Sequence, residues 1–230
     1  MGGVPTDVDG RVVVDSQWTP LPGFYAAGEA ACVSVHGANR LGTNSLVDLI
    51  VFGRRAGKHM AKFIAENDHA PLPSEPEGFS RELVDRLYTP TGGESAARIR
   101  SAMQNEMDEN VFVERSEKGL RHALDTLDGL EETYKRVQLQ DKGKKFNTEL
   151  VEAIELGFLL DCAVATVFGA LARTESRGGH YRTDYPKRDD ANWLKHTLAY
   201  SGKSTTDVHL NYKDVLMVED PIFKPKERKY

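Results

Sequence analysis

Apolar residues recur at three- and four-residue steps through the middle of this chain, whereas near its two ends they form short alternating or clustered runs. The stretch "NSLVDLIVFGRRAGKHMAKFIAEN" sets Leu46, Leu49, Ile50, Phe52, Ala56, Met60 and Phe63 close to one helical period. Ser45 or Asn44 is the expected N-cap of that helix. Gly53 and Gly57, four residues apart on one face, cost helix propensity and predict a second backbone packed close to them. Further helices are predicted at 80–88, about 94–109, 117–137 and 147–174. In the third, Leu120, Leu124, Leu127, Leu130 and Tyr134 make a stripe with charges opposite, the pattern of a packed core.

The ends read differently. In "VPTDVDGRVVVDSQ" the pair Asp9-Gly10 sits between β-prone runs and predicts a hairpin, because Gly adopts positive φ without a Cβ clash. "LPGFYAAGEAACVSV" predicts a strand that ends at Gly28-Glu29. Val208, Leu210 and Tyr212 alternate along one strand of a second hairpin, ahead of the tail "DPIFKPKERKY". Three prolines in "DHAPLPSEPEG" mark a break in character. The expected fold class is therefore α+β: an α/β segment at 1–70, a linker at 71–79, a helical bundle at 80–175 and a small β-containing C-terminal region at 176–230.

Composition narrows the function classes. The 230 residues suffice for one sizeable core or two modest ones. With 40% apolar residues, 28% charged residues and a net charge of −5, nothing favours nucleic acid or electrostatic attraction to a membrane surface. The most apolar stretch, 150–172, carries Glu152, Glu155 and Asp161 and reads as a buried helix rather than a membrane span. Cys32 and Cys162 lack metal-ligand spacing and read as reduced core thiols. Met1 is followed at once by Gly-Gly-Val-Pro, so no signal peptide is expected.

Candidate chemistry concentrates in "VHGANRLGTNS" at 35–45, where donors crowd the mouth of the first helix. Backbone amides of Asn44, Ser45 and Leu46 are expected to point at a bound anion, or at a ring that becomes one, with the helix dipole reinforcing them. Arg40 adds a fork suited to a carboxylate, or else forms a structural ion pair. Glu29, at the C-terminal edge of its strand, suits a ribose or ribityl diol, or else serves a helix cap. His36, beside Gly37, reads as a satisfied loop residue. No metal site is indicated.

The stretch "GFYAAGEAACVSVHGANRLGTNSLVDLIVFGRRAG" resembles the second flavin-binding segment of the succinate dehydrogenase and fumarate reductase flavoprotein subunit. "TESRGGHYRTDYPKRDDANWLKHTL" and "KPKERKY" resemble the same subunit, so the likeness runs the length of the chain. It implies that 1–70 closes an FAD-binding α/β domain. It further implies that Glu29 contacts the ribityl part of FAD, that Ser45 and Leu46 meet the isoalloxazine, with Asn44 beside them as a cofactor-binding residue, and that Arg40 binds a substrate carboxylate. The implied activity is oxidation of succinate to fumarate, with electrons passing to an iron–sulfur subunit and, through it, to membrane anchor subunits and quinone. The implied location is cytoplasmic, peripheral on the inner face of the cell membrane. The family's His-Tyr-x-Met-Gly-Gly motif is met here from its Met onward, so its substrate-binding His, the Gly-rich dinucleotide fold, the covalent FAD attachment and the capping domain are not expected among these residues, and the likeness is to the C-terminal part of the subunit. No catalytic residue is assigned within this chain, which alone is expected to be inactive. Fumarate reductase and L-aspartate oxidase, which shares "HGANRL", are the enzymatic alternatives; a non-catalytic helical interaction module is the other.

Overall fold

The computed structural model describes residues 2–89, 92–202, 207–217, 220 and 222, so the ending "KPKERKY" lies outside the described residues. The N-terminal segment comprises β1 (Val4–Pro5), β2 (Arg11–Val13), β3 (Pro20–Tyr25), a 3₁₀ turn at Gly28–Ala30, β4 (Ala31–Cys32) and the 25-residue α1 (Gly42–Glu66). β1 pairs with β4 in parallel and β2 with β3 antiparallel. The turn expected around Asp9-Gly10 forms, with Gly10 at φ +73 and the Asp7 carboxylate accepting from the amides of Asp9 and Arg11 at 2.9 and 3.0 Å. The hairpin it closes is a single bridge, Thr6 to Val12, after which β2 turns to β3.

Four helices follow: α2 (Gly78–Tyr88), α3 (Ala96–Asn110), α4 (Glu117–Tyr134) and α5 (Thr148–Ala172). All four start within two residues of where sequence reasoning expects, and side chains cap three of them. Ser95 accepts from the Arg98 amide, Ser116 from Gly119 and Asn147 from Leu150. Leu120 and Leu127 of the predicted stripe are fully buried, and Leu124, Leu130 and Tyr134 pack along its edge. Facing them, α5 buries Ala153, Leu156, Leu160, Ala163, Val164, Val167 and Ala170.

Two sequence expectations about α5 need correction. The helix, long and apolar enough to cross a membrane, is buried along one face only; Val151, Phe158 and Leu159 are exposed. Cys162 is exposed rather than a core thiol, because it falls on that outer face, and Cys32 is half-buried. A helix apolar nearly all round gives no sequence signal for which side is covered. In α1, a Cβ added to Gly53 or Gly57 would meet nothing within 4 Å among the described residues, so the expected close backbone is not found there.

Beyond α5 the chain folds back on that helix. β6 (Tyr181–Arg182) pairs in parallel with β5 (Glu114–Arg115), a short helical turn α6 (Asp190–Trp193) follows, and β7 (Lys195–Ser201) pairs with β8 (Val208–Asp214) as the expected hairpin. Arg182, 1% exposed, holds the return in place. Its Nη1 donates to the carbonyls of Ala170, Leu171 and Arg173 at 3.1, 3.0 and 3.3 Å, capping the C-terminus of α5. Its Nε and Nη2 form a fork on Asp184 at 2.7 Å each, and this pairing holds the Asp184 carboxyl down at about 2.

Candidate functional site

Between β4 and α1 runs an irregular loop at 33–41, four of whose residues each meet a different support. Ser34, a non-glycine residue at φ +72, sets its hydroxyl 2.8 Å from His196 Nε2 of β7. His36 Nε2 lies 3.1 Å from Asp48 Oδ2, both side chains nearly buried, so the loop histidine expected to be satisfied is satisfied at one ring nitrogen only. The Ala38 carbonyl accepts from the Gly179 amide at 2.8 Å. Arg40 Nη1 donates to Glu29 Oε1 at 2.8 Å.

The structure thus brings Arg40 and Glu29 together, and both line the same cleft. Their pairing is exposed, with the Glu29 side chain 79% accessible, so it contributes roughly 0–1 kcal/mol and yields readily to a better partner. Asn44, Ser45 and Leu46 lie at the start of α1 and are exposed or half-exposed, Leu46 at 64%.

The helix begins at Gly42, two residues before the earliest predicted N-cap. Leu41 takes the cap position in extended geometry with no side-chain cap bond. Ser45 is therefore already inside the helix: its amide donates to the Leu41 carbonyl at 3.2 Å and its hydroxyl to the same oxygen at 3.3 Å. The amides left for a ligand belong to the first turn at 42–44, while Ser45 and Leu46 offer side chains rather than N–H groups. The local motif shows no polar residue at 41, so the apolar cap is invisible to a search for capping side chains.

Glu29 and Arg40, but not Asn44, Ser45 or Leu46, line a cleft of about 730 Å³ between the N-terminal segment and the C-terminal hairpin. Cations crowd its far wall. Lys213 Nζ sits 3.5 Å from the Trp18 ring centroid, and burial pushes its pKa down. Burial also lowers His196, with the charge of Lys213 adding to the effect. His180 is pushed down to about 4, first by burial and then by the charges of Arg115, Arg173 and Arg182. It stays neutral, donating from Nε2 to the Arg173 carbonyl at 3.2 Å and accepting from Arg115 Nη1 at Nδ1, 2.7 Å away.

Glu175, Arg177, the Gly178-Gly179 pair and His196 had no assigned role in the sequence. Glu175 is fully buried, and its carboxylate accepts from Arg173 Nη1 and Arg177 Nε at 2.7 Å each and from the Asp189 amide at 2.8 Å. A signal was present in the glycine pair: Gly178 stands at φ +58, and a Cβ there would meet the Ala38 carbonyl oxygen at 2.4 Å.

Comparison with known proteins places this geometry in context. The family described as "Fumarate reductase flavoprotein C-term" matches residues 100–230, and the family "FAD binding domain" matches residues 1–46. The chain is 42% identical to the succinate dehydrogenase flavoprotein subunit of Coxiella burnetii over 99% of its own length and 39% of that protein's. It is 40% identical to the fumarate reductase flavoprotein subunit of Mycobacterium tuberculosis over 100% of its length and 39% of the relative's. A solved E. coli quinol fumarate reductase superposes with a TM-score of 0.85 at 36% identity, covering 95% of this chain and 37% of that one. The chain spans about two fifths of the length of the curated relatives it matches.

The residues present fit the ring and ribityl half of FAD. An exposed carboxylate, the first-turn amides of α1 and the uncovered Leu46 side chain have the chemistry that a polyol, a polar ring edge and a ring face each require. Trp18 Nε1 and His36 Nδ1, both buried and without a hydrogen-bond partner among the described residues, belong to cleft-lining residues. The adenosine half has no counterpart in these contacts.

Proposed function

Because the chain belongs to the succinate dehydrogenase and fumarate reductase flavoprotein family, we propose that it supplies the substrate carboxylate clamp and the isoalloxazine-facing helix end of an FAD-dependent enzyme interconverting succinate and fumarate. The observation that carries this reading is the meeting of Arg40 and Glu29 at the mouth of α1. One is a fork-shaped cation for a carboxylate and the other an acceptor for a polyol, each held in place by an exposed contact that a ligand can replace.

In this reading residues 1–70 close the FAD-binding domain, 71–79 link it to a helical bundle at 80–175, and 176–230 form the C-terminal region. Glu29 accepts from ribityl hydroxyls. The first turn of α1 directs its amides and dipole at the pyrimidine edge of the ring, with Asn44, Ser45 and Leu46 beside it. FAD supplies the hydride acceptor for succinate oxidation. Arg40 holds one substrate carboxylate in a fixed plane, so that the C–H bond to be broken keeps its alignment. We place an iron–sulfur subunit, and through it membrane anchor subunits and quinone, downstream of the flavin. The assembly sits on the inner face of the cell membrane.

The test is turnover by the polypeptide extended upstream to its relatives' length, assayed with succinate, fumarate and L-aspartate. Oxidation of succinate or reduction of fumarate is expected; oxidation of aspartate alone would move the assignment to the aspartate oxidases. Flavin bound with none of the three turned over would favour an interaction module. The 230-residue chain by itself should show no turnover and weak flavin binding, since in this reading the adenosine contacts and the remaining substrate ligands belong to the part of the relatives' length that it does not span.

A further inference from the structure

The loop at 33–41 is held from two sides in strict alternation. Ser34 and Ala38 are held by the C-terminal region, through His196 Nε2 at 2.8 Å and the Gly179 amide at 2.8 Å. His36 and Arg40 are held by the N-terminal segment, through Asp48 at 3.1 Å and Glu29 at 2.8 Å. Every second residue therefore meets the opposite support, and Arg40 comes two positions after an attachment made by a part of the chain about 140 residues distant.

We propose that the Gly178-Gly179 turn and His196 are positioning residues for the carboxylate clamp: the C-terminal region fixes where Arg40 presents its guanidinium. The inference rests on Arg40 being that clamp.

The C-terminal support is stiff. The turn at 177–180 closes with mutual backbone bonds, Arg177 N to His180 O at 2.7 Å and His180 N to Arg177 O at 3.0 Å. The fully buried Glu175 carboxylate locks Arg177 from beneath. Gly178 has no room for a Cβ against the Ala38 carbonyl, so the two backbones must approach here. On the loop side, Ser34 holds a left-handed conformation that non-glycine residues seldom adopt. Such a conformation persists where surrounding contacts over-determine it, and the His196 bond is one of them. His196 is in turn fixed in register opposite Lys213, whose ammonium lies over Trp18 of the N-terminal segment.

The test uses the 230-residue chain and ¹⁵N relaxation. Residues 34–40 should show order parameters near those of rigid backbone, about 0.85, in the parent chain. Gly178→Ala and His196→Leu should drop them toward about 0.6 and shift the Arg40 Nε–H resonance toward its free-peptide position. His196→Gln places an amide where Nε2 stands and should restore both readings, which loss of bulk stability would not allow. If Gly178→Ala does not fold, His196→Leu and Ser34→Ala decide the matter. An ordered loop and an unmoved Arg40 resonance in His196→Leu overturn the proposal, as does a loss of order that spreads equally into α4 and α5. Neither result depends on turnover: absence of succinate or fumarate activity in the extended polypeptide would remove the clamp while leaving the loop's restraint measured.

Discussion

Two helices of 25 residues, α1 and α5, sit in regions of opposite character. α5 buries seven apolar residues in a core whose members all fall between Leu87 and Ala170. α1 buries Asp48 and Ala56, while Leu46, Val47, Leu49, Ile50, Val51 and Ile64 stand exposed. Among the described residues, the first 66 contribute Val12, Val13 and Ala56 to the buried hydrophobics. Both helices carry apolar faces in their sequences; one face is covered by its own chain and the other is not. A periodic pattern announces a face to be buried without saying what buries it. Stability thus resides in the bundle, and the candidate chemistry in the thinly packed segment.

The largest effect that would test this contrast is in hydrogen exchange. Amides in the middle of α4 and α5 should exchange roughly a thousandfold or more slowly than those of α1, since they open only with the bundle. Equal protection would break the comparison and require a self-contained N-terminal fold.

Truncation sharpens the same point. Leu127→Ala, at a fully buried site between α4 and α5, should cost about 2–5 kcal/mol in urea unfolding. Ile50→Ala, at a position 70% exposed, should stay within about 0.5 kcal/mol.

For function the order reverses. In the extended polypeptide Arg40→Lys should lower turnover roughly a hundredfold while leaving unfolding unchanged, because Lys keeps the charge and loses the planar fork. Near-normal turnover would show that Arg40 is not the clamp.

The smallest expected effect separates the regions by pH. Burial, with the charges of Asp161 and Asp128 nearby, lifts the Glu131 carboxyl to about 7 from an ordinary 4.5. Its folded pKa is raised, so its contribution to bundle stability is full below pH 4.5 and lost as pH rises through 7. His180 shifts the opposite way: with its pKa depressed to about 4, its contribution is full above 6.5 and lost as pH falls through 4. Glu131→Gln should therefore stabilise the chain at pH 8, on the order of 1 kcal/mol, and change little at pH 4. A variant equally stabilised at both pH values would refute the titration.

The starts of α2 to α5 were legible to within two residues from the apolar pattern, whether a side chain caps the helix, as at Ser95, Ser116 and Asn147, or none does, as in α2. The start of α1 was not, since a polar cap is expected at Asn44 or Ser45 and Leu41 takes that position instead. Within the candidate site, Arg40, Glu29 and the residues at 44–46 could be picked out from one continuous stretch of sequence. Gly178 and His196 could not, because their importance arises from tertiary contacts to residues more than 130 positions away, and Glu175 matters through the turn it locks beneath them. Nor could the exposure of Cys162, which lies on a helix apolar nearly all round.

The protein contains two tryptophans, Trp18 and Trp193, and both line the cleft. Each lies against cations: Trp18 under Lys213, and Trp193 beside Arg173 and Lys195, each 5.0 Å from the ring. All indole emission from this molecule therefore originates at the walls of its candidate site. A charged or ring-bearing ligand that enters the cleft alters the field on both fluorophores, so the chain reports its own occupancy optically, without a label.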